Sequence, residues 1–289
     1  MKILVSGGEG QLGKSLKAIA HVYPEYEFHF RNKEQLDLSS EQSIKTNLSE
    51  SFQVFINAGA FTQVDNAEKE AEKCHAVNAK ALEFIAKHLN PNCQVIHIST
   101  DYVYHSINNR PLKEDDPTEP QSVYAKSKLA GESILLLKIP EAIVLRTSWV
   151  YSPFGKNFVK SMVKLGRSAD QLSIVADQIG TPTYGLDLAN VIMDLIVLKI
   201  TSRSKNSKNV KGIFNYSNEG QTNWADFASH IFNKKNIDCK VHKITTEKYN
   251  ALAPRPKWSV LSKDKIKDLL EINIPHWTKS LDNCLDLID

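Results

Sequence analysis

The chain has 289 residues, 42% hydrophobic and 24% charged, which is room for one large α/β domain or a domain with a smaller appendage. Its 36 Lys and Arg against 33 Asp and Glu leave a net charge of +3, too weak a field to argue for nucleic acid or an anionic membrane surface as partner. No apolar run approaches the ~18 residues of a membrane span. No charged leader precedes the first apolar segment, and Cys74, Cys93, Cys239 and Cys284 show neither C-x-x-C spacing nor a His in ligand register. The expectation is a cytoplasmic protein with free thiols, no membrane span and no metal.

Ile3-Leu4-Val5 is a short apolar run of the kind a central parallel strand carries. It leads into Gly7-Gly8-Glu9-Gly10-Gln11-Leu12-Gly13, after which Leu12, Leu16 and Ile19 recur at helical spacing. Gly7, Gly10 and Gly13 therefore form G-x-x-G-x-x-G between a strand and a helix. Gly7 permits a tight turn, Gly10 lets the backbone approach a pyrophosphate, and Gly13 lets the helix pack on the sheet with its N-terminus toward the phosphates. A plain tight turn is the alternative. Glu25 to Phe30 alternates and reads as the second strand. Where a dinucleotide fold expects an acid for the ribose hydroxyl, this chain has Arg31 and Lys33. Arg31 either meets a 2′-phosphate or is a solvated surface side chain. Asp37 is placed near the adenine, and Ser39 or Ser40 caps the helix that continues to Leu48.

Val54-Phe55-Ile56 is the third strand. It ends in Asn57-Ala58-Gly59-Ala60-Phe61-Thr62, whose small residues, Ala58 among them, let the backbone lie against a cofactor. One long helix is expected from Val64 through Leu89, with Asp65 either its N-cap or a binding residue. Pro91-Asn92 breaks the chain before a fourth strand, Gln94 to Ile98, which runs into Ser99-Thr100-Asp101-Tyr102. A hydroxyl cluster at a strand's carboxyl end is where an open α/β sheet puts its chemistry. The polar loop from Arg110 to Pro120 suits a mouth or lid. A helix is expected from Val123 to Leu137, and Tyr124 and Lys128, four apart, share one of its faces. A tyrosine with a pKa near ~10 is a poor acid at neutral pH. An adjacent ammonium lowers that value, so the pair can donate a proton to a carbonyl. An ordinary amphipathic helix is the alternative.

Ile143-Val144-Leu145 is a fifth strand, leading to Arg146-Thr147-Ser148-Trp149-Val150-Tyr151, and a helix follows from Val159 to Leu165. The strand–helix rhythm then loosens. Gly180 to Gly185 reads as a loop, and Asp187 precedes a helix with Ala189, Ile192, Met193 and Ile196 on one face. Ser202 to Lys211, with its basic run, reads as a loop or insertion. Gly212 to Tyr216 is a late strand, Thr222-Asn223-Trp224 begins a helix through Phe232, and two short helices accompany Arg255-Pro256 near the end.

In order and spacing these motifs resemble the dTDP-4-dehydrorhamnose reductase family of the extended short-chain dehydrogenase/reductases. The resemblance spans essentially the whole chain. It rests on Gly7-x-x-Gly10-Gln11-Leu12-Gly13, Asn57 to Thr62 with Val64-Asp65-x-Ala67-Glu68, Ser99-Thr100-Asp101-Tyr102-Val103, and Tyr124-x-x-x-Lys128-x-x-Gly131-Glu132. Arg146 to Tyr151, Asn157-Phe158, Asp177-Gln178-x-Gly180-x-Pro182-Thr183 and Arg255-Pro256 complete it. It implies an α/β fold, a Rossmann-type doubly wound parallel sheet with a smaller α/β substrate-binding domain. Residues 1–150, with returns near 179–200 and 212–217, would bind NADPH or NADH, and 151–289 would mainly bind the nucleotide sugar. It implies reduction of dTDP-4-dehydro-β-L-rhamnose to dTDP-L-rhamnose by a monomer or homodimer, with Thr100, Tyr124 and Lys128 catalytic. Gly10, Gln11, Leu12, Asp37, Leu38, Ala60, Phe61 and Thr62 would line the cofactor cleft, with Lys128 on the ribose. Val64, Asp65, Thr100, Asp101, Trp149 and Arg255 would meet the substrate. Some members join a Mg²⁺-linked dimer through an acid two residues after the third glycine; here that residue is Ser15, so no metal is carried over. A non-catalytic subunit of the same fold, resembling the regulatory β subunit of methionine adenosyltransferase, and another nucleotide-sugar reductase, epimerase or dehydratase are the competing readings.

Overall fold

Period-two alternation in short apolar strands decides the layers of this molecule. The computed structural model describes residues 1–105, 109–205 and 210–288. Its first half runs β1 (Lys2–Ser6), α1 (Gln11–Ile19), β2 (Glu27–Arg31), α2 (Glu41–Leu48), β3 (Val54–Asn57), α3 (Val64–Ala67), α4 (Ala71–His75), a π-helical turn (Ala76–Lys80), α5 (Ala81–His88), β4 (Gln94–Thr100), α6 (Val123–Lys138) and β5 (Ile143–Thr147). There follow β6 (Val150–Tyr151), α7 (Phe158–Gly166), β7 (Gln171–Val175), β8 (Ile179–Gly180), β9 (Thr183–Tyr184), α8 (Gly185–Lys205), β10 (Gly212–Tyr216), β11 (Thr222–Asn223), α9 (Trp224–Lys234), β12 (Lys240–Ile244), α10 (Thr246–Tyr249), α11 (Asp264–Leu270) and α12 (Trp277–Leu285). Among these, no helix is long and apolar enough to cross a membrane.

The central sheet is parallel throughout, in the order β10-β5-β4-β3-β1-β2. Ile3, Val5, Val54, Ile56, Ile96, Ile143 and Leu145 point to one face, where they pack with Leu12 and Leu16 of α1 and Leu188 and Ile192 of α8. Leu4, Phe55, Val95 and Val144 point to the other, against Ile44 of α2, Leu82 and Ile85 of α5, and Leu135 of α6. Successive strand residues alternate faces, so helices on both sides bury these apolar positions. Each such Leu or Ile removed from water contributes about 1.5–3 kcal/mol. Strand order reverses around β1, and in such sheets the crevice at the carboxyl ends beside the reversal receives ligands. A second core of Tyr151, Phe227, Ile231, Trp277 and Leu281 gathers α7, α9 and α12 beside the paired β7 and β12.

Three sequence expectations need correction. The single helix from Val64 to Leu89 is instead α3, α4, the π-turn and α5. The π-turn carries the buried Asn78, whose side chain bonds both the N–H (2.8 Å) and C=O (3.0 Å) of Phe61 and so ties the strand-end loop to the helix. Asp65 does not cap: the N-cap of α3 is Gln63, without a side-chain hydrogen bond. Of the loop expected from Ser202, residues 202–205 are helical because α8 runs to Lys205, and 206–209 lie outside the described residues. Ser40, one of the two candidates, does cap α2, accepting from the Ser43 N–H.

Candidate active site

The carboxyl ends of β1, β3, β4 and β5 open into a cleft of about 680 Å³. Its floor is the glycine turn. Gly7 has a φ of +67°, which a side chain resists, and a Cβ there would come within 2.8 Å of Gly59 Cα. A Cβ on Gly13 would sit 2.4 Å from the Gly7 carbonyl oxygen, so Gly13 is a packing residue behind the cleft rather than part of its wall. Gly7, Gly10, Gln11 and Leu12 do line it, and the N-terminus of α1 directs its free N–H groups the same way. Asp37, Leu38, Ala58, Ala60, Phe61 and Thr62 continue the wall. The Asp37 carboxylate accepts from Ser39 Oγ at 2.6 Å, the bond that chiefly holds its pKa below the ordinary value.

At the far end of the cleft Val64, Thr100, Asp101, Tyr124, Lys128 and Trp149 come together. Ser122 caps α6 by accepting from the Ala125 N–H at 3.1 Å, which fixes the turn that presents Tyr124. The Tyr124 ring meets Tyr102 edge-on, 5.9 Å between centroids. Enclosure raises its phenol above the ordinary 10.0, countered by a hydrogen bond with Thr100. That burial outweighs the lowering expected from the Lys128 ammonium. Lys128 is 2% exposed, donates to the Ile98 carbonyl at 2.7 Å and lies 3.1 Å from His97 Nε2. Burial pushes Lys128 itself down to about 8.

Burial likewise pushes the Asp101 carboxyl up to about 7, against hydrogen bonds from Ser259 and Thr100. Folding therefore takes up a proton on Asp101 between the ordinary 3.8 and about 7. That contribution is complete at low pH and lost as pH rises through the folded value. Asp101→Asn has no such group. Its stability relative to the parent, measured by chemical denaturation, is expected to improve from about pH 5 to about pH 8. A gap independent of pH would show that Asp101 does not titrate there.

Several expected site residues lie elsewhere. Arg31 is not in the cleft wall; its Nε points to Asn47 Oδ1 at 3.3 Å, and Lys33 lines the cleft instead. Asp65 and Arg255 are also outside the wall. They form a two-bond ion pair, 2.6 and 3.2 Å, that fastens α3 to the segment before residue 258, with the Ala253 N–H donating to Asp65 as well. The Arg255 hydrogen bond is the main cause of a lowered Asp65 pKa. The Arg110–Pro120 loop does not cover the site. Leu112 instead bridges to Leu261, Arg110 pairs with Asp116 at 2.7 Å, and Trp258 Nε1 donates to the Arg110 carbonyl.

The sequence reading missed Trp224, Lys73 and Lys156, all in the cleft wall. Trp149, with φ +46°, stacks on Trp224 at 3.6 Å between centroids, and a Cβ on Gly180 would press 2.9 Å from its ring. A left-handed non-glycine residue costs about 1–3 kcal/mol, so the surrounding packing holds it there. A tryptophan directly after the Asn223 helix cap was the available signal for Trp224.

The model of the RmlD substrate binding domain family matches residues 1–289. The chain is 36% identical over 293 residues to a dTDP-4-dehydrorhamnose reductase of Aggregatibacter actinomycetemcomitans, covering 98% of this chain and 97% of that protein. It is 34% identical to the spore coat polysaccharide biosynthesis protein SpsK of Bacillus subtilis, covering 97% and 95%. The crystal structure of a Bacillus anthracis dTDP-4-dehydrorhamnose reductase in complex with NADP superposes with a TM-score of 0.91 at 31% identity, over 99% of this chain and 98% of that one. Matched from end to end in both sequence and fold, this chain belongs to the RmlD family, that of the dTDP-4-dehydrorhamnose reductases.

Proposed function

We propose that the protein reduces dTDP-4-dehydro-β-L-rhamnose to dTDP-L-rhamnose with NADPH or NADH. The observation that carries this reading is Thr100, Tyr124 and Lys128 in one cleft with the glycine turn. The cradle of Gly7 and Gly10 at the start of α1 suits a diphosphate, because the left-handed turn at Gly7 brings backbone N–H groups at the helix N-terminus to the cleft. A bound reduced nicotinamide supplies hydride to the sugar carbonyl carbon. Tyr124 keeps its proton at neutral pH and donates it to the carbonyl oxygen as charge develops there. The Thr100 hydroxyl, which rests on Asp101 Oδ1 at 3.1 Å, turns to donate to the same oxygen. Lys128 binds the ribose and, when charged, strengthens Tyr124 as an acid. Val64, Asp101 and Trp149 hold the sugar, with Asp65 and Arg255 acting through the segment they fasten. Residues 1–150, with the later strands and helix near 179–200 and 212–217, carry the dinucleotide. Residues 151–289 mainly carry the nucleotide sugar, in a cytoplasmic monomer or homodimer.

The test is dinucleotide oxidation followed with a panel of 4-keto nucleotide sugars. Tight NADPH binding without turnover of any of them would replace the enzyme with a binding subunit. For the 2′-phosphate, the cleft-lining cation that follows β2 is Lys33, so Lys33→Ala is expected to weaken NADPH relative to NADH by about 1.5–3 kcal/mol. Arg31→Ala, held by Asn47, should leave the ratio nearly unchanged. Equal losses of both dinucleotides in titrations of Lys33→Ala would remove Lys33 from that role.

A further inference from the structure

Behind Lys128 lies a row of polar side chains that the reduction chemistry leaves unused. Parallel register sets Ser6 of β1 beside Asn57 of β3, and Asn57 beside His97 of β4. Register partners share a face, so the three side chains meet. They are 0%, 1% and 1% exposed. The Gly59 N–H donates to Ser6 Oγ at 3.1 Å, and Ser6 Oγ donates to Asn57 Oδ1 at 2.7 Å. Asn57 Nδ2 lies 3.1 Å from His97 Nδ1, and His97 Nε2 lies 3.1 Å from Lys128 Nζ.

Counting donors along the row gives it a direction. An amide nitrogen only donates, so His97 Nδ1 accepts. Turning the Asn57 amide over would aim two donors at Ser6 Oγ and strand the hydroxyl proton in a buried site. With Nδ1 unprotonated, His97 is a neutral ring whose proton sits on Nε2, aimed at Lys128. Burial first, and Lys128 second, keep the imidazole well below its ordinary pKa, in agreement with that form. An Nε2–H needs a lone pair on Lys128 Nζ, whereas an ammonium needs Nε2 to accept. The row is fully bonded with Lys128 uncharged; charging Lys128 requires the ring tautomer and the Asn57 amide to reverse together.

We propose that His97, held by Asn57 and Ser6, is a positioning residue that holds Lys128 beside Ile98 and disfavours its charge, so that the row reverses when Lys128 takes up a proton. The proposal rests on the reductase reading of the cleft. The other groups facing Lys128 are Cys74 of α4 and, on its own helix, Glu132, both of which favour its charge, with Tyr124 one turn earlier. His97 is the group among them that opposes charge, through the direction of its hydrogen bond.

Two measurements test it. In protein labelled with ¹⁵N-histidine, long-range spectra near pH 9.5, above the Lys128 value of about 8, should show His97 neutral with Nδ1 unprotonated and Nε2 protonated, and near pH 6 the ring proton should sit on Nδ1 instead. An Nδ1–H ring at both pH values, or an imidazolium, would overturn the proposal, whether or not any sugar is reduced. In the second, His97→Gln offers an amide oxygen to the ammonium. The alkaline limb of kcat/KM should then move up by about one pH unit, a tenfold change in the charged-to-neutral ratio of Lys128. His97→Phe, which offers no acceptor, should show no such gain. An unmoved limb in an active His97→Gln would reduce His97 to packing and sink the idea. If the spectra are as expected but the parent protein reduces no 4-keto sugar, the reductase reading fails and the tautomer assignment stands.

Discussion

Tyr124→Phe is expected to lower kcat by about 10²–10⁴-fold, the usual contribution of a positioned acid, while dinucleotide affinity stays close to that of the parent. The substitution removes one hydroxyl and keeps the ring that packs edge-on against Tyr102. The loss belongs to the chemical step because the phenolic proton is needed only as charge develops on the substrate oxygen. Lys128→Met should behave differently, losing rate and dinucleotide affinity together, since Lys128 has a binding role as well. Steady-state rates and dinucleotide titrations on the two variants separate the roles. A Tyr124→Phe enzyme retaining most of its kcat would move the proton donor elsewhere, with Asp101 the next acid in the cleft.

The second large effect concerns stability. Glu132 of α6 and Arg146 of β5 are each 2% exposed and joined by bonds of 2.6, 3.1 and 3.1 Å. Ser99 also donates to Glu132, and Arg146 Nη1 donates to the Tyr104 hydroxyl at 2.6 Å. Glu132→Ala would strand a guanidinium in the interior, at an expected cost of about 3–5 kcal/mol. Replacing both partners with apolar residues of similar size, Glu132→Leu with Arg146→Met, should recover most of that, because no charge is then buried unpaired. Chemical denaturation of the single and double variants decides it; a single variant within about 1 kcal/mol of the parent would mean that water reaches the stranded charge.

Gly131 shows how close packing around this pair shaped the neighbouring helices. A Cβ there would fall 2.2 Å from the Asn78 carbonyl oxygen. Helix α6 and the π-turn therefore touch backbone to backbone, and the π-turn is where the expected continuous helix departs from regular geometry. No local pattern in residues 64 to 89 announces this, because the contact comes from a glycine some fifty positions later.

The sequence by itself determined whatever depends on near neighbours. The apolar triplets at 3–5, 54–56 and 143–145 became strands with alternating faces, the three glycines between β1 and α1 became a tight turn, and Tyr124 and Lys128 came to share a helix face. Spacing of 2 and 3.6 residues fixes these because the backbone geometry is periodic. Only the tertiary structure decided where the long side chains end. Lys128 turns to Ile98 and His97, Arg31 to Asn47, Arg255 to Asp65, and Trp149 stacks on Trp224. A lysine or arginine has four or more rotatable bonds, so its charged end reaches any partner within several ångströms. Which partner is within reach depends on strand register and on segments as far as 190 residues away in the chain.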